Sequence, residues 1–363
     1  MTLFANIILL ALSIVAPKDG ATVPVLRGSQ RAYLAATRPE RFKVMTNEVL
    51  RVALVGKGST QAPLKLEWEG DTNAVYELVV IRDGGERQTF SIPNRTQAYI
   101  TNLELGAKYL WSVSPVGGEA SVEATFTTET EAPRLLYAEG VVNLRDLGGW
   151  KGRDGRRVRQ NMIFRSAGLR SSAKSKGGSL FGGSYSPGET RISEKGIVTL
   201  HDDLKIRTDI ELRTKQEAAC MTSSVLGGDV AWVHVPFAAY DFIDNPVRGR
   251  EPFVLLFRTF LKKDAYPILF HCSGGRDRTG TLAFLLNGLL GVDGDDLCRD
   301  WESTVFVEDS VKFGPARLGR LLSYLKNVGG ETVPEQCERY ALSCGITREE
   351  IAQFREIMLE GGN

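Results

Sequence analysis

The chain has 363 residues, of which 42% are hydrophobic, and it contains 45 basic and 44 acidic side chains. This length predicts two domains or slightly more, and the hydrophobic content excludes a disordered or collagen-like protein. Because the net charge is only +1, composition gives no support for a protein that binds nucleic acid or a membrane surface.

The N-terminal stretch from Leu3 to Ala16 is apolar. It is too short to cross a bilayer, so no integral membrane span is expected, but it has the length of a signal-peptide core. Small residues at its end suit cleavage, although no Lys or Arg precedes it. We expect residues 1–17 to be a signal peptide of a protein exported to the periplasm or cell surface. The alternative is a buried first strand of the N-terminal domain in a cytoplasmic protein.

Residues 18–130 show the period-two alternation of half-buried strands, as in Leu64-Leu66-Trp68. Turn signals such as Asp83-Gly84-Gly85 separate these strands, and the pattern predicts an all-β sandwich domain. The segment from Gly28 to Leu50 departs from this pattern and looks helical. We expect it to be an insert between the first two strands.

A short polar linker with a proline, Glu129-Thr130-Glu131-Ala132-Pro133, predicts the domain boundary. Before it, the aromatic positions Trp68 and Tyr109-Leu110-Trp111 resemble those of fibronectin type III modules. The resemblance implies a fibronectin type III-like β-sandwich over residues 18–130 and leaves residues 131–363 as a second domain.

In residues 131–363, strands alternate with helical stretches. Asp209–Leu212 and Trp232–Phe237 are predicted strands, and Pro252–Leu261 is a predicted helix. This alternation predicts an α/β domain with a mainly parallel sheet covered by helices. The Gly/Ser-rich segment Ser171–Gly188 is predicted to be a solvated loop or, alternatively, a lid or substrate arm.

The most informative motif of the chain runs from His271 to Gly280 and places Cys272 and Arg278 in one glycine-rich turn. An apolar run predicts a buried strand before the turn, and another predicts a buried helix after it, ended by Gly291. The backbone N–H groups of such a strand–loop–helix converge on one point and bind an anion. The same field lowers the pKa of the Cys272 thiol, so that a thiolate nucleophile is expected at neutral pH. The planar fork of Arg278 can bind two phosphoryl oxygens.

The C-x5-R spacing, with a preceding His and a following Thr-Gly, is similar to the signature of the cysteine-dependent protein tyrosine phosphatase superfamily. Three further blocks, Asn143–Gly149, Phe164–Ser166 and Thr208–Thr214, resemble those of the bacterial lipid-phosphatase-like group of these enzymes. The resemblance covers about residues 135–360. Arg276 stands where that group usually has Lys, which leaves the preferred phosphate ester open.

Two aspartates are candidates for the general acid that protonates the leaving group. The resemblance to the lipid-phosphatase-like and myotubularin-like enzymes implies Asp277, within the turn itself. Asp241 lies after the strand that ends at Phe237, where other tyrosine phosphatases keep the acid on a mobile loop, and Asp244 is a further candidate there. Asp277 is favoured, with a structural role as a clamp on the loop backbone as its alternative.

The remaining site residues are assigned supporting roles. We expect His271 to orient the loop, Thr279 to hydrogen-bond the Cys272 sulfur, Asp146 to position backbone, and Arg145 to line or support the pocket. The phosphate-binding residues are expected to be Ser273, Gly274, Gly275, Arg276, Asp277 and Arg278. No metal or other cofactor is expected, because Arg278 and the backbone N–H groups already supply positive charge. Whether the other cysteines form disulfides stays open; they are Cys220, Cys298, Cys337 and Cys344.

The motifs predict a phosphomonoester hydrolase with a phosphocysteine intermediate. The favoured substrate is phosphotyrosine in a protein, and whether the enzyme also acts on phosphoserine and phosphothreonine stays open. The alternative substrate is a phosphoinositide or an inositol polyphosphate. The alternative from a different class is a phosphate-ester binding or adhesion protein, in which the β module performs the function and the second domain is catalytically inert. No nucleic-acid partner is expected.

Overall fold

A computed structural model describes residues 11–47, 49–50, 60–170, 191–218, 221–236, 246–306 and 314–361. The chain forms two compact units, one from Met1–Arg27 and Gln61–Glu131 and the other from Gly28–Thr60 and Ala132–Asn363. Within the described ranges, no helix has the length and apolar character needed to cross a membrane.

The N-terminal unit contains eight strands in the part that is described. They are β1 (Ser13–Ala16), β2 (Ala21–Val23), β3 (Leu64–Glu69), β4 (Val75–Arg82), β5 (Arg87–Pro93), β6 (Gln97–Ile100), β7 (Lys108–Pro115) and β8 (Val122–Thr128). They form a three-stranded sheet in the order β1-β3-β6 and a five-stranded sheet in the order β2-β8-β7-β4-β5. The prediction of an all-β N-terminal region is confirmed.

The core of this unit lies on the inward faces of the alternating strands. Trp68 of β3, Trp111 of β7 and Phe126 of β8 are buried, and the ring of Trp68 contacts Tyr76 of β4 edge-on, with centroids 5.3 Å apart. Strand β1, at the end of the apolar N-terminal stretch, pairs antiparallel with β3. Residues 1–10 lie outside the described residues, and export stays a prediction.

Helices α1 (Gly28–Ala35) and α2 (Arg38–Thr46) interrupt the strands between β2 and β3. The sequence assigned this segment to the N-terminal domain, whereas it belongs to the second unit. The physical reason is the side chain of Arg41, which is fully buried and forms ion pairs with Glu302 at 2.5 Å and with Asp295 at 2.6 Å. The predicted domain of residues 18–130 is therefore not one continuous unit.

The second unit is built on a mixed five-stranded sheet in the order β12-β11-β13-β10-β9. Its strands are β9 (Arg145–Asp146), β10 (Ile163–Ala167), β11 (Thr208–Glu211), β12 (Ala231–His234) and β13 (Ile268–Cys272). The three pairings among β10 to β13 are parallel, and β9 is antiparallel to β10. Every residue of β10, β11 and β13 is buried, as expected for strands covered on both faces.

Helices pack around this sheet. They are α3 (Glu194–Val198), α4 (Pro246–Thr259), α5 (Asp277–Leu289), α6 (Gly294–Glu302), α7 (Gly314–Val328), α8 (Val333–Ser343) and α9 (Arg348–Met358). Neighbouring residues of β13 enter different cores: Phe270 joins the large core with α4, α5, α8 and α9, whereas Leu269 joins a smaller core with Phe164. Helix α5 is buried from Arg278 to Leu289. The loop between them is therefore anchored at one end by the central strand β13 and at the other end by the buried helix α5.

Candidate active site

The loop between β13 and α5 places Cys272 at the end of the central strand and Asp277 at the start of the buried helix. Gly275 in this loop has φ +65°, and a Cβ at this position would lie 2.4 Å from Ser166 O. Only glycine fits such a conformation so close to neighbouring backbone. The turn that the sequence predicted between strand and helix therefore depends on this residue.

The carbonyl groups of the loop are bound by two side chains and by one backbone N–H group. Asn143 Nδ2 donates to Gly274 O and Gly275 O, each at 3.1 Å, and Arg165 Nη2 donates to Gly275 O at 2.8 Å. Ser273 O accepts from the backbone N–H of Gly168 at 3.2 Å. Because a trans peptide unit is planar, each fixed carbonyl directs the next N–H away from these partners. The arrangement holds the loop amides in one orientation, which is the geometry that an anion-binding nest requires.

Asp300 on α6 orders the two arginines behind the loop. Its Oδ2 accepts from Arg165 Nη1 at 2.5 Å, and its Oδ1 accepts from Arg145 Nε at 3.2 Å. Arg145 in turn donates to Asn143 Oδ1. Arg145 is buried with Asn143 and supports the loop from behind. Asp300 was not singled out from the sequence and has no local signal that reveals this role. Arg165 lies in the Phe164–Ser166 block of the resemblance, but the sequence assigned it no role.

Cys272 is buried, with 3% of its surface exposed. Burial acts to raise the pKa of its thiol, but the positive charge of Arg278 and the hydroxyl and N–H of Thr279 outweigh burial and lower it. Arg278 and Thr279 both lie in the first turn of α5, so the fold brings them to the sulfur through one local element. A lowered pKa favours the thiolate, which is the nucleophilic form.

A bidentate ion pair holds the Arg278 guanidinium. Its Nη1 donates to Glu217 Oε2 at 2.8 Å and its Nη2 to Glu217 Oε1 at 3.1 Å. The backbone N–H and hydroxyl of Thr214 bind Glu217 Oε2 at 3.0 Å each. Burial raises the pKa of Glu217, but these partners outweigh it and lower the pKa to about 2. Glu217 was missed from the sequence, although Thr214-Lys215-Gln216-Glu217 has the spacing of a capping box.

His271 belongs to a buried polar cluster under the loop. Its Nε2 lies 2.8 Å from Asp209 Oδ1, and its Nδ1 lies 3.7 Å from Glu211 Oε2. Burial acts to lower the pKa of His271, but the two carboxylates outweigh burial and raise it. Glu211 also accepts from Arg213 Nε at 2.9 Å and Nη2 at 2.6 Å. This cluster fixes the strands β11 and β13 beneath Cys272.

Asp277 faces two arginines with one of its oxygens. Its Oδ2 lies 2.6 Å from Arg317 Nη1 of α7 and 3.3 Å from Arg276 Nε. Its Oδ1 is buried and has no hydrogen-bond partner among the described residues. Burial raises the pKa of Asp277, while the charge of Arg276 and its hydrogen bond oppose the rise. Arg317, from a helix forty residues further along the chain, was not predicted.

Asp146 binds two backbone N–H groups and the side chain of Arg134. Its carboxylate accepts from Gly148 N at 2.7 Å, from Asn161 N at 2.8 Å and from Arg134 Nη1 at 2.8 Å. It therefore fixes the turn after β9 rather than lining the nest. The alternative acids Asp241 and Asp244 lie outside the described residues, as do the predicted loop insertion Ser171–Gly188 and Cys220.

Among the cysteines that the structure describes, none forms a disulfide; Cys272, Cys298, Cys337 and Cys344 are free thiols. In the same part of the chain, no three His, Cys, Asp or Glu side chains are grouped in a way that could hold a metal ion. Positive charge near the sulfur comes from the side chain of Arg278. The arrangement brings together a buried thiol, a loop of backbone N–H groups, a fixed guanidinium and a carboxyl group.

The chain is similar to known phosphatases. A family profile described as the tyrosine phosphatase family matches residues 136–180 and 186–360, more than half of the chain. A protein of Cupriavidus necator named as a tyrosine-protein phosphatase, H16_A0669, is 32% identical over 187 residues, which cover 46% of this chain and 61% of that protein's length.

Two similar solved structures are the core catalytic domain of the PP-IP phosphatase SIW14 from S. cerevisiae in complex with citrate and a Siw14 catalytic core. The first is 15% identical, covers 45% of this chain and 88% of that chain, and has a TM-score of 0.28. The second is 13% identical, covers 46% of this chain and 87% of that chain, and also has a TM-score of 0.28.

Proposed function

Because the chain belongs to the tyrosine phosphatase family, we propose that it hydrolyses phosphate monoesters through a phosphocysteine intermediate, with phosphotyrosine as its principal substrate. The observation that carries the proposal is the placement of Cys272 beside Arg278, with the guanidinium fixed by Glu217 at 2.8 and 3.1 Å. A fixed guanidinium is ready to bind the phosphoryl oxygens without reorganising.

In the proposed reaction, the Cys272 thiolate attacks phosphorus and the bond from phosphorus to the ester oxygen breaks. The departing oxygen takes a proton from Asp277, whose pKa is raised by burial. Loop amides and Arg278 bind the phosphoryl oxygens throughout, and more strongly as charge builds up in the transition state. Water then attacks the phosphocysteine, which releases phosphate and regenerates the thiolate, while Asp277 takes back a proton.

The test is hydrolysis of p-nitrophenyl phosphate and of a phosphotyrosine peptide by the full chain. We expect turnover that orthovanadate inhibits and EDTA does not. Cys272→Ser should abolish turnover but still bind a phosphate ester, because the nest consists of backbone groups. Cys344→Ser is the matched control and should retain activity. Absence of turnover in the unmodified chain would instead favour the inert binding protein, and substantial turnover by Cys272→Ser would contradict the mechanism.

A second substrate class is favoured by the arginines around Asp277. Arg276 and Arg317 both contact this carboxylate, and the charge of Arg320 acts on Arg317. Several guanidinium groups next to a phosphate nest suit a substrate with more than one phosphate, such as a phosphoinositide or an inositol polyphosphate. Rates per enzyme molecule on phosphopeptides, phosphoinositides and inositol polyphosphates distinguish the two classes.

For the N-terminal unit, we propose a fibronectin type III-like module. Supporting this, strands β1, β3 and β6 form one sheet, while β4, β5, β7 and β8 lie in the other, with β2 added at its edge. The hydroxyl of Tyr109 at the start of β7 accepts from Glu104 N at 2.9 Å, which resembles the tyrosine corner of such sandwiches. Export of the protein is tested by fractionating bacterial cells that express the full chain.

A further inference from the structure

The helical insert, defined as helices α1 and α2, is joined to α6 by a buried arginine. Arg41 donates from Nε to Glu302 Oε2 at 2.5 Å and from Nη2 to Asp295 Oδ1 at 2.6 Å. Its remaining nitrogen, Nη1, donates to Ala36 O inside the insert at 2.7 Å. Arg41 is 0% exposed and Glu302 is 4% exposed, so the ion pair between them is largely withdrawn from water. Charge-assisted bonds of this kind hold both partners in one geometry.

Other contacts extend this attachment along α6. Arg299 Nε donates to Leu34 O at 3.0 Å, and the ring of Tyr33 packs edge-on against Phe306, with centroids 5.4 Å apart. The insert therefore contacts helix α6 near both ends of that helix, and it also contacts residues that follow α6 in the chain.

The opposite face of α6 carries the residue that orders the phosphate loop. Asp295 and Glu302 are seven residues apart, which places them within about 20° of each other around the helix axis. Asp300 is rotated from them by about 140° to 160°. Helix α6 thus lies between Arg41 on one face and, on the other, Arg145 and Arg165, which Asp300 binds at 3.2 and 2.5 Å.

We propose that the helical insert positions the phosphate loop through α6, with Arg41 as its positioning residue; this inference rests on the proposed hydrolase function. A shift of α6 moves Asp300 and the guanidinium of Arg165, which binds Gly275 O at 2.8 Å. The loop amides are fixed through that carbonyl, so the shift reaches the groups that bind the phosphoryl oxygens. Small misplacements of such groups are costly to the rate.

The experiment compares Arg41→Met, Arg41→Lys and Asp295→Asn in the full chain. For Arg41→Met we expect kcat for p-nitrophenyl phosphate to fall on the order of tenfold and vanadate to bind more weakly. The pKa of the Cys272 thiol should rise, measured as the pH dependence of its alkylation by iodoacetamide and assigned by peptide mass spectrometry. Arg41→Lys should fall between the parent and Arg41→Met, because an ammonium keeps the charge but lacks the planar fork.

Arg355→Met is the matched control. Arg355 also joins helices, donating to Glu338 Oε2 at 2.7 Å and to Leu289 O at 2.7 Å, but it has no contact with α6 among the bonds described. It should lower the melting temperature without changing kcat or the thiol pKa. If Arg41→Met behaves in the same way, the inference is overturned.

Two further outcomes are separated by the design. If Arg41→Met does not fold, the test rests on Arg41→Lys and Asp295→Asn. The inference is overturned if the pH dependence of Cys272 alkylation in both variants is the same as in the parent. Alkylation requires no turnover, so it still tests the role of Arg41 if the parent hydrolyses no ester. That last result would contradict the proposed function instead.

Discussion

Asp277 has two oxygens in different surroundings. Oδ2 is bound by Arg317 at 2.6 Å, whereas Oδ1 is buried without a hydrogen-bond partner among the described residues. The hydrogen bonds and positive charge at Oδ2 disfavour a proton on that oxygen. The unpartnered Oδ1 is therefore the oxygen suited to carry a proton to a leaving group. This asymmetry supports the assignment of Asp277 as the acid and suggests a direct kinetic test.

We expect Asp277→Asn to slow hydrolysis of alkyl phosphates on the order of 10²-fold and of activated aryl phosphates far less. The physical reason is that a good leaving group needs little protonation as it departs. The measurement is kcat for a series of esters of different leaving-group pKa. Asp241→Asn serves as the control and should matter little.

Two results would revise this assignment. Equal losses for good and poor leaving groups would make Asp277 a clamp for the loop backbone, because a geometric defect slows phosphoryl transfer whatever departs. A larger selective loss in Asp241→Asn than in Asp277→Asn would place the acid after Phe237.

With Asp277 as the general acid, the neighbouring Arg317 controls its pKa. The acid must be protonated to act, and a guanidinium 2.6 Å away favours the carboxylate. Arg317→Met should therefore raise the pKa of Asp277 and move the alkaline limb of the kcat–pH profile to higher pH. Arg258→Met, which removes a charge from an exposed ion pair with Glu350, is the control and should leave the profile unchanged. A shift to lower pH in Arg317→Met would contradict the interpretation.

At the scale of elements, the loop between β13 and α5 depends on one backbone conformation. We expect Gly275→Ala to lower kcat/KM by at least tenfold, because the new Cβ meets Ser166 O at 2.4 Å and disrupts the nest. Gly228→Ala is the matched control, since a Cβ there has nothing within 4 Å. The comparison uses kcat/KM together with the melting temperature. Parental activity in Gly275→Ala would show that the nest tolerates rearrangement.

The elements that could be predicted from sequence are those defined by local patterns. An apolar run, a glycine-rich turn and a second apolar run define β13, the loop and α5, and the observed bounds are Ile268–Cys272 and Asp277–Leu289. The predicted strand over Trp232–Phe237 is shorter in the structure, ending at His234 before Pro236, which has no N–H to donate. Local sequence patterns therefore predict where a strand or helix lies better than they predict the residues at which it begins and ends.

At the scale of the whole molecule, the sequence could not show which unit the helical insert joins. In the sequence, Arg41 is one of several basic residues in a segment that looks helical, and its partner Glu302 lies 261 residues further along the chain. Asp300 and Arg317 are similar cases, because each contributes through a contact made only by the folded chain. The described site residues that were named from sequence lie within the motif from His271 to Gly280, where chain neighbours are also neighbours in space, or, like Arg145, within the other blocks that carry the family resemblance.

The described cysteines differ in thiol acidity across the molecule, and this difference predicts which one reacts. For Cys272, burial is outweighed by Arg278 and Thr279, and the pKa is lowered. Burial raises the pKa of Cys298 to about 11 and also raises the pKa values of Cys337 and Cys344. Since the thiolate is the reactive form, Cys272 is expected to be the most reactive of the four at neutral pH.

We therefore expect iodoacetamide at pH 7 to modify Cys272 before the other three, and peroxide to inactivate the enzyme reversibly through the same sulfur. Peptide mass spectrometry over a time course measures the order of modification. Inorganic phosphate provides the control, because an anion in the nest covers the sulfur and should slow modification of Cys272 alone. Labelling of Cys298 or Cys344 ahead of Cys272 would mean that the positive field of Arg278 and the start of α5 does not outweigh burial, and the nucleophile would then require a separate base.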